Sequence, residues 1–111
     1  MIKVYIAGKI TGDPNYKEKF AKAAKAILAR GGIPLNPAEL PAGMDPADYM
    51  RICFAMIDVC DWVYFLPGWE ASPGARLEMA YCQYIGRPAF LFGEAYCQYI
   101  GRPAFLFGEL S

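Results

Sequence analysis

Trp62-Val63-Tyr64-Phe65-Leu66-Pro67-Gly68-Trp69-Glu70-Ala71-Ser72-Pro73-Gly74-Ala75-Arg76-Leu77-Glu78 holds a strand, a loop and the start of a helix. Trp62–Leu66 is the most continuously apolar run in the chain, as expected of a strand in the middle of a parallel sheet with both faces covered. Pro67–Ala71 reads as a loop. Ser72 then stands as an N-cap, with Pro73 at the first helical position.

The same grammar extends to both sides. Ile2–Ala7 has the β-branched and aromatic content of a strand, ended by Gly8. Asp13-Pro14 predicts a helix start, and Tyr16, Phe20, Ala23, Ala24, Ile27 and Leu28 follow at helical spacing until Gly31-Gly32. Ile33–Asn36 reads as a short strand near an edge, because Pro34 cannot donate to a ladder. A proline-rich loop spans Pro37 to Asp45, and Asp45-Pro46 opens a second helix to about Val59. This β-α-β-α-β-α-β order with short connections predicts an α/β, Rossmann-like three-layer sandwich with a mostly parallel sheet. Such sheets bind ligands beyond the C-terminal strand ends. The loops that matter are therefore Gly8–Asn15, Asn36–Asp45 and Pro67–Gly74.

The C-terminus repeats itself. Ala80–Glu94 reads AYCQYIGRPAFLFGE, and Ala95–Glu109 reads the same again. A recent duplication, an engineered one or a sequence artefact would each produce identical copies. In the first copy, Ala80–Ile85 finishes the third helix, Gly86 stops it and Arg87–Phe92 makes a strand. In the second copy Gly93 stands where Glu78 stood, so only the first can present Glu78. We expect one domain over residues 1–94. Residues 95–111 would form a duplicated helix–strand tail, packed on that domain or exchanged with a neighbour. Its strand candidate is Pro103–Phe107.

Composition narrows the function classes. The 111 residues carry eleven Lys plus Arg against eleven Asp plus Glu, with no basic run. That argues against a nucleic-acid polymer as partner. No apolar stretch approaches the roughly 20 residues needed to span a bilayer. With no room for a leader before the first strand, the expected location is cytoplasmic. Four cysteines (Cys53, Cys60, Cys82, Cys97) form no CxxC pair, and there is no histidine, which removes most zinc arrangements. No metal or organic cofactor is implied, and the cysteines read as reduced and mostly buried.

Two loops carry candidate chemistry. Gly8-Lys9-Ile10-Thr11-Gly12 sits where a phosphate-binding turn would lie, without GxGxxG or Walker spacing. Gly8 permits close approach, while Lys9 and Thr11 offer a charge and a hydroxyl; an ordinary turn with a surface lysine stands equally. In the other loop, Ser72 adds its hydroxyl to the positive end of a helix. Gly74 and Ala75, both small, lie one turn before Glu78 and are expected to leave it open to a ligand. A carboxylate so placed could attack an electrophilic sugar carbon, although a plain surface glutamate is the commoner case. Trp69 could stack on a base or cover the sheet end. Tyr5 could orient the carboxylate or simply pack in its strand.

Val4–Gly8, Asp61–Leu66 and the run Pro67–Glu78 together resemble the nucleoside 2-deoxyribosyltransferase-like superfamily, most closely its small DUF4406 branch. The likeness covers Met1 to about Glu94. It implies that Glu78 matches a nucleophile forming a covalent deoxyribosyl ester, and that Tyr5 matches a tyrosine orienting it. Transferases acting on free nucleosides tend to have Asp at the position of Ser72. The branch hydrolysing deoxynucleoside 5′-monophosphates has Ser in its phosphate pocket. A hydroxyl at a helix N-terminus attracts a phosphate where a carboxylate would repel it. The implied ligand is a small-molecule nucleoside or nucleotide, and the implied assembly is a homo-oligomer whose neighbours help complete the site. One departure stands out: Cys53 occupies the place of an Asp that handles the departing base. Glu39 and Glu70 are the carboxylates left in candidate loops. The resemblance thus implies a nucleotide N-glycoside hydrolase, a deoxyribosyltransferase, or a catalytically silent nucleotide-binding or sensing module.

Overall fold

A computed structural model of the chain describes residues 1–101. The elements run β1 (Lys3–Ala7), α1 (Tyr16–Ala29), β2 (Ile33–Leu35), α2 (Pro46–Val59), β3 (Trp62–Phe65), α3 (Pro73–Ile85), β4 (Ala89–Leu91) and β5 (Gln98–Tyr99). They form one five-stranded sheet in the order β2-β1-β3-β4-β5. The first four strands are parallel, and β5 is antiparallel to β4. Three helices flank the sheet, giving the expected Rossmann-like α/β fold.

The strand period of two sorts side chains between two cores. Val4 and Ile6 of β1 join Tyr64, Leu66 and Phe92 against Phe20, Ala23 and Ile27 of α1. Tyr5 and Ala7 point the other way and join Val63, Phe65 and Ala89 against Cys53 and Ile57 of α2 and Met79 and Cys82 of α3. β3 lies in the middle of the sheet and is buried from Val63 to Phe65. β2, which contains Pro34, lies at the edge. All four cysteines are free, and Cys53, Cys60 and Cys82 are buried. No helix among the described residues is long and apolar enough to cross a membrane.

Two local expectations are corrected. Asp13 does not cap α1, which starts at Tyr16 after Asn15. The Asp13 carboxylate instead accepts the Asn15 backbone N–H at 2.9 Å, an Asx-turn that delays the helix by one bend. Its other oxygen pairs with Lys19 at 2.8 Å.

The second correction concerns the repeat. Ala80–Gly86 completes α3, but the identical Ala95–Gly101 is loop and strand, with Tyr99 opposite Phe90. A seven-residue stretch is a poor helix nucleus by itself. The first copy continues a helix that Ser72 has already capped. The second follows Phe92, whose N–H is still bonded to the Phe65 carbonyl at 2.8 Å, and then Gly93. The open edge of β4 takes it instead, through Ile100 and Gly101 N–H groups donating to the Ala89 carbonyl at 2.9 and 2.8 Å. The glycine is left-handed in both settings, at φ 76° for Gly86 and 61° for Gly101. The expected strand Pro103–Phe107 lies outside the described residues.

Candidate active site

β1 and β3 are neighbours, yet their chains leave in opposite directions: β1 leads to β2 on one side and β3 to β4 on the other. α1 lies on one face, and α2 and α3 on the other. The crevice at this divergence is where doubly wound sheets take ligands. The two strand ends are pressed together there. A Cβ on Gly8 would sit 3.1 Å from Leu66 side-chain atoms, and Leu66 N–H donates to the Ala7 carbonyl at 2.8 Å. That close approach favours glycine at position 8.

Behind this edge, on the α2–α3 side, β1 projects Tyr5 and α3 projects Glu78 toward each other. The Tyr5 phenol donates a hydrogen bond to Glu78 Oε2. Both groups are buried, with Glu78 only 5% exposed. Burial pushes the Glu78 carboxyl up to about 7, although the hydrogen bond from Tyr5 favours its ionised form. Burial, with the nearby Glu78 charge, likewise holds Tyr5 well above the ordinary phenol value, so it remains a proton donor. One oxygen is held by the phenol, and the other, Glu78 Oε1, has no hydrogen-bond partner among the described residues.

The expectation that Gly74 and Ala75 would leave Glu78 exposed is not met, because α2 covers this stretch of α3. Ala75 is buried, and a Cβ on Gly74 would lie 3.8 Å from Met50 Sδ. From the same helix, Cys53 packs beside Tyr5 and Glu78, with its thiol interacting with the phenol and pushed up by burial. Ser72 caps α3: its hydroxyl accepts from Ala75 N–H at 3.2 Å. Trp69, half-buried, packs on Phe65 with ring centroids 5.1 Å apart and covers the end of β3. Arg76 reaches back to the Glu70 carbonyl at 2.6 Å and closes the loop carrying Trp69. Lys9 and Thr11 are exposed in the turn after β1, and the Glu39 and Glu70 side chains are exposed as well.

Tyr5, Glu78, Ser72, Gly74 and Trp69 thus gather around one end of α3, with Gly8 at the adjoining strand edge. Met50, Cys53 and Arg76 complete the surroundings. Spacing within α3 carries no information about the α2 residues, because they arrive by tertiary packing. A separate cleft of about 500 Å³ opens on the α1 side, between Lys19, Lys22, Leu66, Phe92 and Glu94. None of the candidate residues lines it.

The profile of one family, a domain of unknown function (DUF4406), matches residues 2–90. The chain belongs to the DUF4406 family. No curated protein matches the sequence. Among solved structures, this DUF4406 chain is similar to a 2-deoxyribosyltransferase from the psychrotolerant bacterium Bacillus psychrosaccharolyticus. The TM-score is 0.65 at 19% identity, covering 81% of this chain and 71% of that one. A conserved protein from Enterococcus faecalis V583 is similar with a TM-score of 0.64 at 15% identity, covering 80% of this chain and 61% of that one. At these identities the likeness establishes a shared fold.

Proposed function

We propose that this DUF4406 protein cleaves the N-glycosidic bond of a (deoxy)nucleoside 5′-monophosphate, with Glu78 as nucleophile. The observation that carries the proposal is the Tyr5–Glu78 pair: a buried carboxylate with one oxygen held by a phenol and the other bonded to no described residue. Tyr5 fixes the carboxylate rotamer, so that Glu78 Oε1 can approach the anomeric carbon without first ordering a flexible side chain. Burial strips water from the nucleophile, and the phenol partly offsets that loss. Attack forms a glycosyl ester on Glu78 as the bond to the base breaks, and water then resolves the ester. A second base in place of water would make the same site a transferase, a reading supported by the fold shared with a 2-deoxyribosyltransferase used for nucleosides.

Ser72 at the α3 N-terminus, with Lys9 and Thr11 from the turn after β1, would hold the 5′-phosphate. Gly8 and Gly74 keep backbone near the ligand, and Trp69 offers an aromatic edge to the base. A second reading, a silent nucleotide-binding module, is favoured by Cys53 standing where an acid is expected. Incubation with a panel of deoxynucleotides and nucleosides, read by chromatography for free base, separates the two. The account predicts base release from at least one 5′-monophosphate. Binding without any release would leave only the silent module.

A further inference from the structure

Resting on the reading of Glu78 as nucleophile, we propose that the substrates are nucleotides whose base is already a good leaving group, above all an N7-alkylated, cationic purine. When the bond from C1′ to the base nitrogen breaks, its electron pair goes with the base. An ordinary purine must then receive a proton from the site or leave as an anion. An N7-alkylated purine leaves as a neutral molecule and needs no proton.

The surroundings of Glu78 hold, among the described residues, no group suited to give one. Among the described residues, the titratable side chains acting on Glu78 or acted on by it are Tyr5 from β1, Cys53 from α2 and Cys82 from α3. The Tyr5 proton is committed to Glu78 Oε2. Cys82 is wholly buried beneath the helix. Cys53 is buried against the Tyr5 phenol, and a buried thiol is a weak acid. The chain has no histidine. Glu39 and Glu70 are exposed in their loops, and neither acts on Glu78 or Tyr5.

The chemistry then balances without a protein acid. Glu78 Oε1 forms a bond to C1′ while the bond from C1′ to N9 breaks. The electron pair neutralises the positive charge of the alkylated purine. Water next attacks C1′, the ester bond to Glu78 breaks, and the proton of that water passes to solvent. The catalyst supplies a nucleophile and desolvation, and the substrate supplies the leaving ability. Nothing in this sequence requires the position occupied by Cys53 to carry a carboxylate.

The test measures kcat/KM of the full chain for 7-methyl-2′-deoxyguanosine 5′-monophosphate against 2′-deoxyguanosine 5′-monophosphate. Free base is quantified by chromatography, and the Glu78→Gln protein serves as the blank for spontaneous depurination. The expected result is a preference above about a hundredfold for the methylated substrate, since each 1.36 kcal/mol of leaving-group stabilisation is worth about tenfold. A smaller preference, with both substrates cleaved faster than in the blank, overturns this inference and leaves the glycosidase reading standing. Failure to exceed the blank with either substrate removes the glycosidase reading, and this inference falls with it.

Discussion

A carboxyl group that is 5% exposed gives up most of its hydration, and among the described residues only the Tyr5 phenol replaces it at Glu78. The acid is therefore raised from 4.5 to about 7 by burial. The sign of the linkage follows. Between pH 4.5 and 7 the folded state holds a proton that the unfolded chain has released, so stability falls as pH rises through that window. The loss approaches about 3 kcal/mol above pH 7. Glu78→Gln keeps the shape without the buried charge. It should unfold at higher urea than the parent at pH 8, by an amount on this order, and match it closely near pH 4. Equal midpoints at pH 8 would mean that burial does not penalise Glu78. Activity should move the opposite way, rising as Glu78 ionises through about pH 7. The sequence singled out Glu78 and Tyr5, but not the burial of Glu78. Gly74 and Ala75 suggest an open helix face when α3 is viewed alone, and Met50 and Cys53 of α2 close it.

At the scale of elements, α3 carries most of the candidate site. Ser72 caps it, Gly86 ends it in the left-handed region and Glu78 lies between them. Replacing Ser72 with Ala removes the acceptor for the Ala75 N–H and should cost about 1 kcal/mol in stability. The same change should weaken deoxynucleotide binding by about 10- to 150-fold, the usual worth of one charge-assisted contact, and leave deoxynucleoside binding little changed. Calorimetry giving equal affinities for the two ligands in the parent protein would remove Ser72, Lys9 and Thr11 as a phosphate pocket. The bounds of α2 and the cap of α3 were legible because Asp-Pro and Ser-Pro fix a helix start locally. Asp13-Pro14 carries the same signal, yet its carboxylate closes an Asx-turn on Asn15. The pattern alone does not distinguish those two uses of one side chain.

At the scale of the whole molecule, the alternation of strands and helices was enough to give the doubly wound sheet. The fate of the repeat was not legible, since identical residues form a helix at Ala80–Gly86 and a strand at Gln98–Tyr99. What decides is position: one copy continues a capped helix, and the other meets the open edge of β4. Among the described residues β5 ends the sheet, and a strand edge tends to recruit another chain. We expect residues 1–94 to act as the domain, with the tail adding to its sheet or exchanging with a neighbour in an oligomer. Light scattering on the full chain and on a chain lacking residues 95–111 tests this. The full chain should have a mass of two or more protomers and the truncated one a different state, whereas a full-length monomer would refute the expectation. The central claim concerns a bond formed on the protein itself, so the most direct measurement is the mass of the intact protein. The chain is incubated with a 2-fluoro-2-deoxyarabinosyl nucleotide bearing a reactive leaving group, quenched in acid and mapped by peptide mass spectrometry. The account predicts one added fluoroglycosyl phosphate on the peptide containing Glu78, absent in Glu78→Gln. Base release without any adduct on that peptide, or an adduct that persists in Glu78→Gln, would contradict it.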